Sequence, residues 1–132
     1  VSFGTMMDGG ATSLFECLET ECVGRPRERG TASLNHPMHA GFAYFLYRCV
    51  AGIRPLTPGF GEFEIRPDHF DGIPSADVTY ETPYGTVAVS FVRRGRETVY
   101  SFRVPVNTTC RFRAGGRSEV YGSGSYTVTV TE

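Results

Sequence analysis

The sequence has 132 residues, a hydrophobic fraction of 40%, a charged fraction of 20% and a formal net charge of −1. These values fit a folded domain with a real core and exclude a disordered chain. The near-zero charge argues against an electrostatic nucleic-acid or membrane-surface binder, and no apolar run reaches the roughly 18 residues of a membrane span.

Residues 1–9 (VSFGTMMDG) are short and mixed, and read as the end of a piece cut from a longer protein. Val1 is not an initiating Met, and no basic start followed by an apolar stretch marks a signal peptide. Localisation is therefore left open between cytoplasm, periplasm and secretion. Gly9-Gly10 marks a loop, and Ala11–Phe15 leads to Glu16. Cys17–Glu21 is long enough for one helical turn. Residues 24–33 (GRPRERGTAS) are polar. The arginines Arg25, Arg27 and Arg29 are interrupted by Glu28 and lack interleaved aromatics, so the segment reads as a solvated loop.

Ser33 to Asn35 offer side-chain oxygens able to cap a helix, and Pro37 suits its first turn. From Met38 to Val50 the pattern is apolar nearly all round, with Met38, Phe42, Phe45, Leu46, Cys49 and Val50. One helix is predicted there, and it needs cover on most faces. In an isolated chain that cover is another copy, giving a homo-oligomer through residues 38–50, or the edge of the β domain. Gly52 ends the helix in a left-handed conformation and Pro55 prevents its resumption.

After Pro58-Gly59 the period becomes two. Strands are predicted over Phe60–Arg66, Ala76–Glu81, Thr86–Val92, Glu97–Val106, Thr108–Arg113, Ser118–Tyr121 and Ser125–Thr131. Regular spacing without intervening helical pattern predicts a mainly β chain ending in an antiparallel β-sandwich. Tyr80, Tyr84, Phe91, Tyr100 and Phe102 alternate along these strands and read as sandwich core before they read as a sugar-stacking platform. Asn107-Thr108-Thr109 fits the N-glycosylation pattern, a match that is often accidental.

The four cysteines, Cys17, Cys22, Cys49 and Cys110, lack the paired spacing of a zinc site. They leave one disulfide or scattered reduced thiols open. His36 and His39 stand three apart, with no neighbouring carboxylate to complete a metal set, so no metal site is assigned. By themselves, Glu16 reads as a surface carboxylate and His36 as a structural hydrogen-bonding group.

Taken together, GATSLFE (10–16), SLNH (33–36), FLYR (45–48), AGIRP (51–55) and TPGF (57–60) resemble the C-terminal end of bacterial α-L-rhamnosidases of glycoside hydrolase family 78. The resemblance runs from about Gly10 to Asn107. Ser13, Phe15, His39 and Phe45 depart from it, standing where Thr, Trp, an aromatic and Trp are usual. It implies that residues 1–55 are the last active-site loop and helix of an (α/α)6 barrel and 56–132 a C-terminal β-sandwich. The parent would hydrolyse terminal α-L-rhamnosides with inversion and without a cofactor. Glu16 matches the general base and His36 a contact of the bound sugar, with Phe15 and Asn35 as further substrate-contact candidates. Asn35 is equally a helix cap. The general acid would lie upstream. The competing reading is a non-catalytic carbohydrate-binding or structural β-sandwich module.

Overall fold

The computed structural model describes residues 3–16, 33 and 35–131. Cys17, Cys22, the 17–21 turn and the arginines of the 24–33 loop lie outside the described residues. The chain divides into two compact units, Val1–Ala43 and Tyr44–Glu132.

The first unit opens with a helix, α1 (Phe3–Asp8), which buries Met6. The sequence reading gave no helix here. It ends in a Schellman arrangement: Ala11 N–H donates to Met6 O at 2.9 Å and Gly10 N–H to Met7 O at 2.9 Å. Gly10 takes the left-handed φ of 76° that this stop requires.

The single helix expected over Met38–Val50 is broken into three pieces. Pro37–His39 is one 3-10 turn, with Pro37 at its start and His36 extended before it. No side chain caps this turn, so the expected cap from Ser33–Asn35 is absent. A short α-helix, α2 (Phe42–Phe45), follows, and Leu46–Val50 widens into a π-helical stretch. Gly41 sits between the first two pieces, where its backbone freedom makes continuous helix costly. The wide turn ends with Ala51 N–H donating to Leu46 O at 3.0 Å.

The second unit is a sandwich of two four-stranded sheets. Its strands are β1 (Ile53–Pro55), β2 (Glu62–Ile65), β3 (Ser75–Thr82), β4 (Gly85–Arg94), β5 (Glu97–Val104), β6 (Thr109–Ala114), β7 (Arg117–Tyr121) and β8 (Gly124–Thr131). One sheet has the order β1-β2-β6-β7 and the other β3-β4-β5-β8. The seven strands predicted after Pro58 are present, and β1 is an eighth. The sandwich is not purely antiparallel, because β2 and β6 pair in parallel.

The inner faces follow the period of two. Val87, Val89 and Phe91 of β4, Tyr100, Phe102 and Val104 of β5, and Val128 and Val130 of β8 are buried. They meet Phe63 and Ile65 of β2 and Cys110 and Phe112 of β6. Phe102 and Phe112 stack between the sheets with centroids 5.2 Å apart and planes 7° from parallel. Tyr100 meets Phe112 edge-on at 5.3 Å. Phe91, Tyr100 and Phe102 are therefore core, as the alternation predicts, whereas Tyr80 is half-buried and Tyr84 is exposed at the β3–β4 turn.

Two features join β1 to the sheet. Arg54 and Glu64 are cross-strand partners, only 8% and 7% exposed. The Arg54 guanidinium is 3.9 Å from Glu64 and 3.3 Å from Asp68, and its Nε donates to Arg48 O at 3.3 Å. Arg66 and Arg113 approach Glu64 at 3.8 and 3.5 Å. The second feature is Gly52, with φ of 74°, packed so tightly that a Cβ would lie 2.1 Å from Pro67 N and 2.2 Å from Arg66 C.

Both features set stability. Gly52→Ala should destabilise the chain by more than about 2 kcal/mol, because backbone rather than a pliable side chain meets the added methyl. Arg54→Ala should cost about 1–3 kcal/mol, because it empties buried space beside Glu64, which keeps Arg66 and Arg113 as partners. Urea unfolding of both variants checks this, and a wild-type midpoint for Gly52→Ala would contradict the close approach.

Candidate functional site

The site lies in the first unit, where the segments around Glu16 and His36 come together. Glu16 N–H donates to Ser33 O at 2.7 Å, and His36 N–H donates to Leu14 O at 2.7 Å. Ser33 N–H donates to Glu16 Oε2 at 2.6 Å. The GATSLFE and SLNH motifs are thus paired through their main chains across a sequence gap of 17 residues.

This pairing aims the side chains. His36 Nδ1 is 4.0 Å from Glu16 Oε2, with both side chains about two-fifths exposed. Ser33 anchors one carboxylate oxygen. Among the described residues the other, Oε1, accepts no hydrogen bond. A carboxylate held by one oxygen and open at the other suits proton abstraction from water. The imidazole beside it is able to donate to or accept from a hydroxyl.

The remaining predicted residues are placed differently. Phe15 is buried. Asn35 is exposed, and its main chain exchanges bonds with the Ser33 hydroxyl at 3.2 and 3.3 Å. His39 is a residue that sequence reasoning did not assign to the site. Its Nε2 lies 3.0 Å from Glu16 O. No group of three or more His, Cys, Asp or Glu among the described residues is arranged to hold a metal. Of the chain's apolar surface, Tyr44, Phe45, Leu46 and Tyr47 are exposed, Tyr44 at 63%. No helix among the described residues is long and apolar enough to cross a membrane.

Residues 52–125 match the family model of the bacterial alpha-L-rhamnosidase C-terminal domain. The chain belongs to that family. An α-L-rhamnosidase of Formosa agariphila is 31% identical to this chain over 83 residues, which are 61% of this chain and 9% of the relative. The crystal structure of a native α-L-rhamnosidase from Aspergillus terreus superposes with a TM-score of 0.87 at 22% identity, covering 98% of this chain and 16% of that one. An α-L-rhamnosidase of Streptomyces avermitilis, crystallised with L-rhamnose, gives a TM-score of 0.83 at 25% identity over 98% of this chain and 15% of its own. The chain thus spans less than a fifth of the length of these relatives.

The two described cysteines, Cys49 and Cys110, are free. Burial pushes the Cys110 thiol up to about 12. At neutral pH it is therefore protonated and a poor nucleophile. Cys110 of the native chain should resist a thiol reagent such as dithionitrobenzoate at pH 8 and react once urea unfolds the sandwich. Mass mapping of the labelled peptides checks this, and rapid native labelling of Cys110 would show that β6 opens readily.

Proposed function

We propose that this chain is the C-terminal part of an enzyme that hydrolyses terminal α-L-rhamnosides with inversion. Family membership and the α-L-rhamnosidase relatives support the activity class. The observation that carries the assignment of roles is the pairing of Glu16 with Ser33 and His36. In this reading residues 1–55 descend from the end of the helical catalytic barrel and 56–132 are the C-terminal sandwich, except that β1 (Ile53–Pro55) pairs with β2 as a strand of the sandwich.

In this reading Glu16 is the general base. Oε2 is fixed by Ser33 N–H while Oε1 takes a proton from the attacking water. His36 binds a hydroxyl of the rhamnose next to that water. Phe15 supports Glu16 from within, and Asn35 lies at the rim. Inversion needs a second carboxyl group roughly 6.5–9.5 Å from the base, so that water fits between the base and the scissile bond. That acid is supplied by the rest of the enzyme. Substrates are rhamnose-containing glycosides.

The burial of Phe91, Tyr100 and Phe102 supports this over a sugar-binding module, because, of the five alternating aromatics, Tyr80 is half-buried and Tyr84 alone is exposed, which makes no stacking row. The exposed Tyr44, Phe45, Leu46 and Tyr47 need a covering surface, and in the isolated chain we assign that surface to a second copy.

Three measurements test the reading. The isolated chain should release no nitrophenol from an aryl α-L-rhamnoside, since it would lack the acid. In the full-length enzyme Glu16→Gln should lower kcat by at least about a thousandfold with little change in sugar binding, because the amide keeps the acceptor for Ser33 N–H but loses the basicity. Full turnover by that variant would remove Glu16 as base. Sedimentation of the isolated chain should show a concentration-dependent dimer that Leu46→Lys dissociates, and a monomer at every concentration would refute the proposed contact.

A further inference from the structure

We propose that His39 is a positioning residue for Glu16, acting on its main chain and not on substrate. This rests on the reading of Glu16 as the base. A carbonyl oxygen only accepts, so the 3.0 Å contact from His39 Nε2 to Glu16 O places the ring hydrogen on Nε2. The bond joins residues 23 apart in sequence.

The contact completes a clamp. On one side of its Cα, Glu16 gives its N–H to Ser33 O at 2.7 Å. On the other, its C=O takes the His39 hydrogen. With both flanking peptide planes held, φ and ψ of Glu16 are fixed, and with them the direction of the Cα–Cβ bond. The Ser33 N–H then selects where the carboxylate points. Without His39 the Glu16 carbonyl loses this bond, and the backbone that aims the carboxylate is held less firmly.

The ring is itself held in place. His39 closes the 3-10 turn that Pro37 begins, sealed by Ala40 N–H donating to Pro37 O at 2.8 Å. Phe3 meets the imidazole edge-on, with centroids 6.2 Å apart and planes at 78°. His36, the extended residue just before this turn, has its Nδ1 4.0 Å from the Glu16 carboxylate. One short segment, His36–His39, thus addresses Glu16 twice, at its carboxylate through His36 and at its carbonyl through His39. A base must be aimed to within a fraction of an ångström, and a displacement of about 1 Å costs up to about a hundredfold in rate.

The test uses the full-length enzyme and an aryl α-L-rhamnoside. His39→Phe keeps a ring against Phe3 and removes the donor. It should lower kcat by about ten- to a hundredfold and leave KM within about twofold, with an unchanged melting temperature. His39→Gln, which restores an N–H donor, should recover part of the loss. In the Glu16→Gln background His39→Phe should cause no further loss, because the two act as one unit. If His39→Phe does not fold, His39→Asn, whose amide is too short to reach the carbonyl, carries the same expectation. Wild-type kcat in the donor-less variant, or a loss that persists in full in the Glu16→Gln background, overturns the proposal. Failure of the base assignment is separate, because it shows as full turnover by Glu16→Gln alone.

Discussion

The second unit depends on the close approach of Gly52 to the backbone at Arg66 and Pro67. A residue with a side chain does not fit there, since its Cβ would overlap main-chain atoms that have nowhere to move. The approach lets Gly52 O accept the Arg66 N–H at 2.9 Å, while Cys49 O accepts that of Asp68 at 2.8 Å. These two bonds lay the end of the π-helical stretch against the exit of β2. They set the register Ile53↔Ile65, which sends Ile53 and Arg54 to opposite faces of the sheet, both buried. A slip by one residue would reverse both side chains. Strand β2 in turn pairs with β6, and β6 with β7, so β1 is joined through this contact to the rest of the first sheet.

The charges on β1 and β2 enforce the same register. Arg54 is almost fully buried, and isolated burial of a guanidinium is costly. It is tolerated because Glu64 and Asp68 share its charge and Arg48 O takes its Nε hydrogen. Any other alignment leaves a cation and an anion buried apart. Such a network contributes little net stability over apolar packing, but it penalises the wrong pairing strongly. The apolar core does the complementary work. Phe102, Phe112 and Tyr100 fill the space between the sheets, and they bind the two sheets together without specifying the partner of each strand.

What the sequence discloses follows from the range of each interaction. Strands β2 to β8 are legible because burial on one face writes a period of two into consecutive residues, as in Val87, Val89 and Phe91. Strand β1 is not, since three residues ending in Pro55 and containing a buried arginine carry no period. The parallel pairing of β2 with β6 leaves no local mark at all. Helix α1 is hidden because its one buried residue, Met6, stands beside an equally apolar, exposed Met7. The break at Gly41 is readable in principle, but the apolar pattern on both sides suggests continuity. At the site, Glu16 and His36 are visible through their motifs. His39 is not, because its partner is a carbonyl oxygen that every residue possesses.

Family and site draw on different residues, and this bears on how function is inferred. The family match covers residues 52–125, all of them in the second unit. The Glu16, Ser33, His36 and His39 cluster lies wholly outside it. A sandwich survives extensive substitution when volume and patterning are kept, so a TM-score of 0.87 coexists with 22% identity. A base has no such latitude. One changed donor or a small rotation removes its activity while the fold persists. The sandwich therefore identifies the lineage, whereas the chemistry has to be argued from the clamp around Glu16. There Ser33 N–H holds one carboxylate oxygen, Ser33 O takes the Glu16 N–H, and His39 reaches the Glu16 carbonyl, so side chain and main chain of one residue are both tied down.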